Sequence, residues 1–311
     1  MATFLQQIIN GLSLGSVYAL IAVGYSLVYS ILLFSNFAHG GFLVVGGYIC
    51  YFMMMNQGMG IWVAGAVSIL GAGVVAVVTE RLAYKPIRER TSLTLYLLIA
   101  SMGVSIVIEN LFVITIGGRF RALPQLRLGE LFSVFEPQSE WALMPLQNPI
   151  TIAQGLTISL FDVITFVAAV IFLIGLQLFL QKTRWGLAIR AAACDLRTAG
   201  LMGVNVSLLV GIVFLVAGGL AAIGGIFLAM RYTLFPQLGA ITIKAFVAAV
   251  IGGLGSLPGA VVGSFILGLL EMLIAGFISS QFRDIGVFSL LILTLLVRPA
   301  GLFGKQVGDK V

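Results

Sequence analysis

The chain has 311 residues, of which 60% are hydrophobic and 9% charged, and its mean hydropathy is +1.14. Soluble domains carry roughly 25% charged residues, so this composition excludes a protein that folds in water around one core and predicts an all-α polytopic membrane protein. The net charge of +6 does not point to nucleic acid, because the basic residues cluster at the ends of apolar runs.

Apolar runs follow one another along the whole chain, and about 20 such residues cross a bilayer as a helix. The runs cover residues 5–34, 37–55, 61–79, 93–116, 150–180, 208–230, 243–278 and 285–297. The seventh is interrupted, so the sequence predicts eight or nine membrane segments in one transmembrane domain, residues 1–311. The N-terminus lacks a basic region and a small-residue cleavage site, so no removable signal peptide is expected.

Basic residues set the predicted orientation, because positive loops stay on the cytoplasmic side. Three cytoplasmic segments follow: the loop with Arg81, Lys85, Arg88 and Arg90, the loop 182–206, and the tail with Arg298, Lys305 and Lys310. Residues 117–148 then form an external loop. Cys50 and Cys194 fall in different environments, so a disulfide between them is not expected.

The second run begins with a polar interruption at Asn36, His39 and Gly40. Glycine lets the backbone turn closely here, and interruptions of membrane segments mark substrate paths in transporters, so these three residues are path candidates. His39 is expected to be neutral and hydrogen-bonded, with no role in moving protons. His39→Gln should then retain uptake, and His39→Leu should lose it by leaving a partner unpaired.

The interrupted run must enter and leave on the outer side, which predicts a hairpin bent at residues 252–259. Four glycines and Pro258 in eight residues indicate a broken helix, and irregular backbone at membrane depth is tolerated where it is protein-buried or lines a wet cavity. Such breaks mark substrate paths in transporters; the alternative is that the glycines only permit close helix packing. The path candidates are Gly252, Gly253, Gly255 and Ser256, and cysteines at Gly253 and Ser256 should react with water-soluble reagents.

Three acids, Glu109, Asp162 and Glu271, fall within apolar runs, where charge is costly. Each could line the path, pair internally or lie near the interface; a structural hydrogen-bonding role is favoured, and Glu109 and Glu271 remain path candidates. Lys244 lies close enough to an end to snorkel. One histidine cannot build a histidine metal site, and no phosphate-binding loop is present, so this chain is expected to bind no cofactor.

The loop 182–206 is too polar to cross a bilayer but keeps helical spacing. One apolar stripe joins Leu187, Ala191, Cys194, Thr198 and Leu201, while Arg190 and Arg197 share another face. The pattern predicts a helix over residues 185–201 that either docks into a partner or lies on anionic lipid.

Several motifs, in order along nearly the whole chain, resemble permease subunits of bacterial branched-chain amino acid ABC importers, in particular the shorter of their two permeases. They begin at Asn10-Gly-Leu-Ser-Leu-Gly-Ser-Val-Tyr, Asn36-Phe-Ala-His-Gly, Arg190-Ala-Ala-Ala-Cys-Asp-Leu-Arg, Ala248-Ala-Val-Ile-Gly-Gly-Leu-Gly and Leu296-Val-Arg-Pro-Ala-Gly. Many relatives have glutamate where this chain has Cys194.

The resemblance implies a non-catalytic subunit in the bacterial inner membrane that works with a second homologous permease, two cytoplasmic ATPases that bind ATP and Mg²⁺, and a periplasmic or lipid-anchored binding protein. It also implies that loop 182–206 is the coupling loop, with contact candidates Arg184, Leu187, Arg190, Ala191, Cys194, Asp195, Arg197 and Gly203. The cargo would be branched-chain or other small amino acids, or alternatively urea or short amides. A stand-alone secondary transporter or channel, and an intramembrane enzyme, are the competing classes.

Overall fold

The computed structural model describes residues 2–91, 93–124, 126, 145–153 and 156–304. The helices are α1 (Ala2–Leu32), α2 (His39–Met55), α3 (Ile61–Thr79), α4 (Lys85–Arg90), α5 (Thr94–Ile116), α6 (Leu160–Lys182), α7 (Arg184–Cys194), α8 (Leu196–Leu201), α9 (Val206–Arg231), α10 (Thr242–Gly252), α11 (Leu257–Phe277) and α12 (Arg283–Val297). A π-helical turn (Glu80–Tyr84) joins α3 to α4, and 3₁₀ turns (Pro236–Ile241 and Ser280–Phe282) precede α10 and α12.

Within these residues, seven helical segments are long and apolar enough to cross a membrane, and two shorter apolar ones, His39–Met55 and Pro236–Gly252, accompany them. The predicted all-α membrane architecture is confirmed. The loop with Arg88 and residues 192–197 border one cleft beside the end of α1, and this end of the bundle is called the basic end below. Most of the predicted external loop, residues 125 and 127–144, and the tail from residue 305 lie outside the described residues.

The predicted run 150–180 is not a single helix. Its first part forms an antiparallel hairpin of β1 (Pro149–Ala153) and β2 (Leu156–Ser159), with Ile150 opposite Ile158. The side-chain amide of Gln6 on α1 ties this hairpin down, because it both donates to the Thr157 carbonyl and accepts from the Thr157 nitrogen, each at 2.8 Å. The hairpin thus covers the end of α1 opposite the basic end.

The core is built around α1, which is buried over most of its length and packs along α11. Small residues set this contact: a Cβ at Gly11 would lie 2.8 Å from the Leu269 Cα, and one at Gly268 would lie 2.7 Å from the Gly15 Cα. Close backbone approach of this kind replaces the hydrophobic driving force that helices lack within a bilayer.

The hairpin of α10 and α11 exists as predicted, and its bend falls within the predicted residues 252–259. The bend sits at the basic end, where Gly255 approaches Ser30 near the end of α1. The backbone groups that a helix break leaves open are satisfied there, since the nitrogens of Leu302 and Phe303 donate to the carbonyls of Ile251 and Gly252, each at 2.9 Å. The bend is therefore a packed corner sealed by the C-terminal segment.

Candidate functional site

The predicted coupling helix over residues 185–201 is broken into α7 and α8. Asp195 interrupts it with extended backbone (φ −159°, ψ 108°) and caps α8 by accepting from the nitrogens of Arg197 (2.9 Å) and Thr198 (3.2 Å). The side-chain hydrogen bond from Thr198, helped by these backbone donors, holds the pKa of Asp195 below its ordinary value. Asp195 thus stays ionised where the helix start favours negative charge.

The two faces of α7 and α8 differ in their exposure to solvent. Gly186, Ile189, Ala192 and Ala199 are buried against the bundle, and Gly186 packs directly on the backbone of Leu180. The opposite side is the predicted apolar stripe, fully outside the bundle: Leu187 is 61% exposed and Leu201 82%, and the side chains between them, Ala191, Cys194 and Thr198, are exposed as well.

Two further apolar side chains, Trp185 and Met202, extend this exposed surface, which is called the docking surface below. The predicted apolar stripe did not include them, although Trp185 is the second residue of α7 and Met202 directly follows α8. The three predicted arginine contacts, Arg184, Arg190 and Arg197, are all exposed. The Arg190 guanidinium also turns back to donate to the Leu180 carbonyl near the end of α6. Gly203 forms the turn into α9 at φ +90° with open space around it.

A cleft separates residues 192–197 of this coupling segment from the rest of the basic end. On one side lie the end of α1, Arg88 on α4 and the start of α5 with Thr94 and Leu97; on the other lie residues 192–197. The ends of α1 and α5 thus face the coupling segment across this cleft.

The polar residues at and just before the start of α2, His39 and Asn36, are buried inside the bundle. Asn36 Oδ1 accepts from the Tyr84 hydroxyl (2.9 Å) and the Ala38 nitrogen (3.2 Å). His39 is buried beneath the Tyr25 ring, with centroids 4.5 Å apart. The backbone of Ile21 lies within interaction range of the imidazole, but within the described residues neither ring nitrogen makes a hydrogen bond of good geometry. A Cβ at Gly24 would lie 2.6 Å from the imidazole, so the ring is held by packing.

Gly40 brings the starts of two short helices together. A Cβ at Gly40 would lie 2.7 Å from the Gly239 carbonyl oxygen, so α2 and the 3₁₀ turn before α10 touch through their backbones. Thr242 closes the contact: its hydroxyl donates to the Gly239 carbonyl (2.6 Å) and accepts from the Tyr25 hydroxyl (3.3 Å). Two helices thus begin inside the bundle, side by side.

The glycines of the hairpin bend serve packing more than access. Gly252 and Gly259 meet backbone to backbone, and Gly253 (φ +106°) is buried against the C-terminal segment. The prediction that a side chain at Gly253 would face the path is wrong for this reason. Gly255 (φ +85°) and Ser256 are partly exposed, and Ser256 caps α11 by accepting from the Gly259 nitrogen (3.2 Å).

Gly253→Ala is expected to destabilise the protein by about 2–4 kcal/mol, because its left-handed backbone disfavours a side chain and the new methyl group would overpack. That methyl would lie 2.5 Å from the Gly304 nitrogen. Gly58→Ala is the matched control, since Gly58 has φ +62° but open space, and should cost only about 1 kcal/mol. Thermal unfolding in detergent measures both, and equal losses would contradict the sealed bend.

Two of the three intramembrane acids are paired within the chain. Glu271 binds Lys244 Nζ (2.8 Å) and accepts from the Tyr18 hydroxyl (3.0 Å), while Asp162 binds Arg231 (3.0 Å) and the Ser13 hydroxyl (2.5 Å). Lys244 does not snorkel freely, because it also binds Asp284 at 2.8 Å, a partner that the sequence analysis missed.

Glu109 differs from the other two acids, since it lies half-exposed on α5. Its carboxylate accepts from the Ser105 hydroxyl at 3.3 Å. A further acid, Glu80, is fully buried at the basic end beside Arg88 (3.0 Å); sequence reasoning passed over it because it follows directly on the third apolar run.

A family model described as "Branched-chain amino acid transport system / permease component" matches residues 7–297. The chain is 37% identical to the high-affinity branched-chain amino acid transport system permease protein LivH of Escherichia coli (strain K12), covering 99% of this chain and 98% of that protein. It is 36% identical, with the same coverage, to the corresponding protein BraD of Pseudomonas aeruginosa. Among solved structures, a chain of PsaBC from Streptococcus pneumoniae in complex with Fab covers 96% of this chain and 93% of its own length at 13% identity; the TM-score of 0.49 supports no inference about function.

Proposed function

Because this chain belongs to the family of branched-chain amino acid transport system permease components, we propose that it is the translocation subunit of an ATP-driven importer for branched-chain or other small amino acids. The observation that carries the mechanism is the docking surface on α7 and α8. It combines large exposed apolar side chains, Leu187 and Leu201, with the exposed arginines Arg184 and Arg197 at the basic end of the bundle. Such a patch marks a protein or membrane contact.

The partners follow from this role. Two cytoplasmic ATPases would bind ATP and Mg²⁺ and seat on the docking surface, a second homologous permease would complete the path, and a periplasmic binding protein would deliver the cargo. The chain itself would hold no cofactor and catalyse no reaction, and it would reside in the bacterial inner membrane. Short helices suit the transmission of force, because their hydrogen bonds are internal and they move as rigid bodies.

The pairing of intramembrane charges within this chain supports a transport mechanism whose driving force comes from other subunits. A secondary transporter needs an intramembrane ion site, but two of the three intramembrane acids, Asp162 and Glu271, are engaged with Arg231 and Lys244, which leaves Glu109 as the one candidate among the three. ATP binding on the ATPases would close them, shift α7 and α8, and press across the cleft on the ends of α1 and α5.

Uptake in reconstituted vesicles tests the proposal. The complete complex with its binding protein should accumulate labelled leucine when ATP is trapped on the ATPase side, and should fail with an ATPase unable to hydrolyse ATP. Accumulation driven by a proton or sodium gradient without ATP would overturn the importer. Uptake of urea or acetamide in place of leucine, with ATP still required, would overturn the amino acid assignment alone.

A further inference from the structure

Four membrane-length helices, α3, α5, α6 and α12, present most of their surface outside the bundle. Away from their ends, α3 and α12 carry no charged or amide side chain, and their outward residues include Leu70 and Ile292. On α6 the exposed Gln177 lies only five residues before the last residue, Lys182, close to the headgroup region. These three helices are suited to lipid.

Helix α5 is different, because it carries Glu109 and Asn110 side by side, half-exposed and exposed. Glu109 lies seven residues before the end of α5 at Ile116, which is about 10 Å along a helix. A glutamate side chain is shorter than the lysine and arginine stems that reach headgroups from such depths. Acids facing lipid at this depth are costly, so lipid does not cover this face.

The local hydrogen bonds do not remove the cost. Ser105 gives Glu109 one hydroxyl donor, and the Asn110 amide donates to the Ile106 carbonyl one turn back (2.8 Å). A carboxylate has about four acceptor positions, so water or a polar partner is needed as well. The buried residues of α5, Leu97, Ser101 and Ile108, lie on the side of the helix away from Asn110, and Glu109 lies between these two sides.

We propose that the α5 face, defined by Gly103, Ile106, Glu109 and Asn110, lines a wet contact with the second permease subunit and forms one wall of the translocation path. This inference rests on the proposed function. The occupant must be embedded in the membrane, because Glu109 lies inside the span, and this excludes the ATPases and the binding protein. It must also leave room for water or polar groups, which excludes a dry apolar helix.

Two other features of α5 agree with this position. Gly103 has open space above its Cα, so another helix can approach closely there. The start of α5, at Thr94 and Leu97, borders the cleft opposite the coupling segment. The helix that carries the α5 face is thus placed where movement of α7 and α8 would reach it.

Cysteine accessibility in the assembled complex, in native membranes, tests whether water reaches the α5 face. In a Cys194→Ser background, Asn110→Cys should react with a charged methanethiosulfonate reagent at least ~10-fold faster than Ile292→Cys on α12, because water does not reach side chains in hydrocarbon. Equally slow reaction of the two cysteines would overturn the proposal.

Co-purification tests the partner. Gly103→Trp should remove most of the second permease from complexes purified through a tag on this chain, while Gly175→Trp on α6 should not. The two glycines are matched, since both lie on exposed helix faces with open space around them. Retention of the second permease by both variants would overturn the interface, and if Gly103→Trp does not insert, the accessibility result decides. Neither readout needs transport, so failure here leaves ATP-driven uptake standing, and failed uptake leaves this contact testable.

Discussion

Lys244→Met is expected to destabilise the protein by about 3 kcal/mol or more, because it strands a buried carboxylate. Lys244 bridges three helices: it lies on α10 and binds Glu271 of α11 and Asp284 of α12, each at 2.8 Å. The Glu271 side chain is only 4% exposed, so it cannot be rehydrated in place. Thermal unfolding of the purified protein in detergent should show the loss.

A double variant distinguishes the cost of the unpaired Glu271 carboxylate from the cost of the packing lost with the lysine side chain. Lys244→Met combined with Glu271→Gln should recover much of the stability, since glutamine is neutral and still accepts from the Tyr18 hydroxyl. Lys85→Met is the control pair, because Lys85 meets Glu89 at 3.8 Å near the surface, where such pairs contribute about 0–1 kcal/mol. Similar losses for Lys244→Met and Lys85→Met would show that the buried network contributes little.

Replacing Ala191 and Cys194 together by aspartate should abolish uptake and the stimulation of ATP hydrolysis, with membrane insertion retained. Both side chains lie on the docking surface and outside the packed face of α7, so folding of this chain is spared. Unpaired carboxylates buried under a docked ATPase would cost about 2–5 kcal/mol each, which weakens docking on the order of 30-fold or more.

Ala191→Ser with Cys194→Ser is the matched control, since it changes the same positions without charge and should retain uptake. ATPase co-purification in detergent distinguishes protein docking from binding to anionic lipid, because no bilayer is present. Full uptake and ATPase stimulation in the aspartate variant would show that this surface does not dock the ATPase.

The local sequence pattern predicted the helices better than the connections between them. The runs 61–79 and 93–116 match α3 and α5 closely, since hydropathy and length decide a span. The α3 helix nevertheless continues through a π turn, in which Lys85 donates to the Glu80 carbonyl five residues back just before Pro86. Proline lacks the hydrogen-bond donor of a regular helix, and hydropathy does not register such a change of pitch.

Two errors had signals in the sequence. Asp195 is a good N-cap residue and divides the coupling segment, but the apolar stripe concealed it. Residues 149–159 alternate isoleucine and threonine around Gln154-Gly155, a pattern typical of a hairpin that was absorbed into a long apolar run. The ion pairs had no such signal, because Asp162 and Arg231 lie 69 residues apart and only the tertiary fold joins them.

The packing of α1 on α11 also has a consequence for biogenesis. Helix α1 leaves the ribosome first, yet the helix that covers its glycine face ends at Phe277. At 5–20 residues per second, synthesis of the intervening chain takes roughly 10–50 s. During that interval the close-packing face of α1 is open to the insertion machinery or to another nascent permease. Docking of α11 then completes the bundle late, so the main packing contact of α1 forms long after α1 itself has been synthesised.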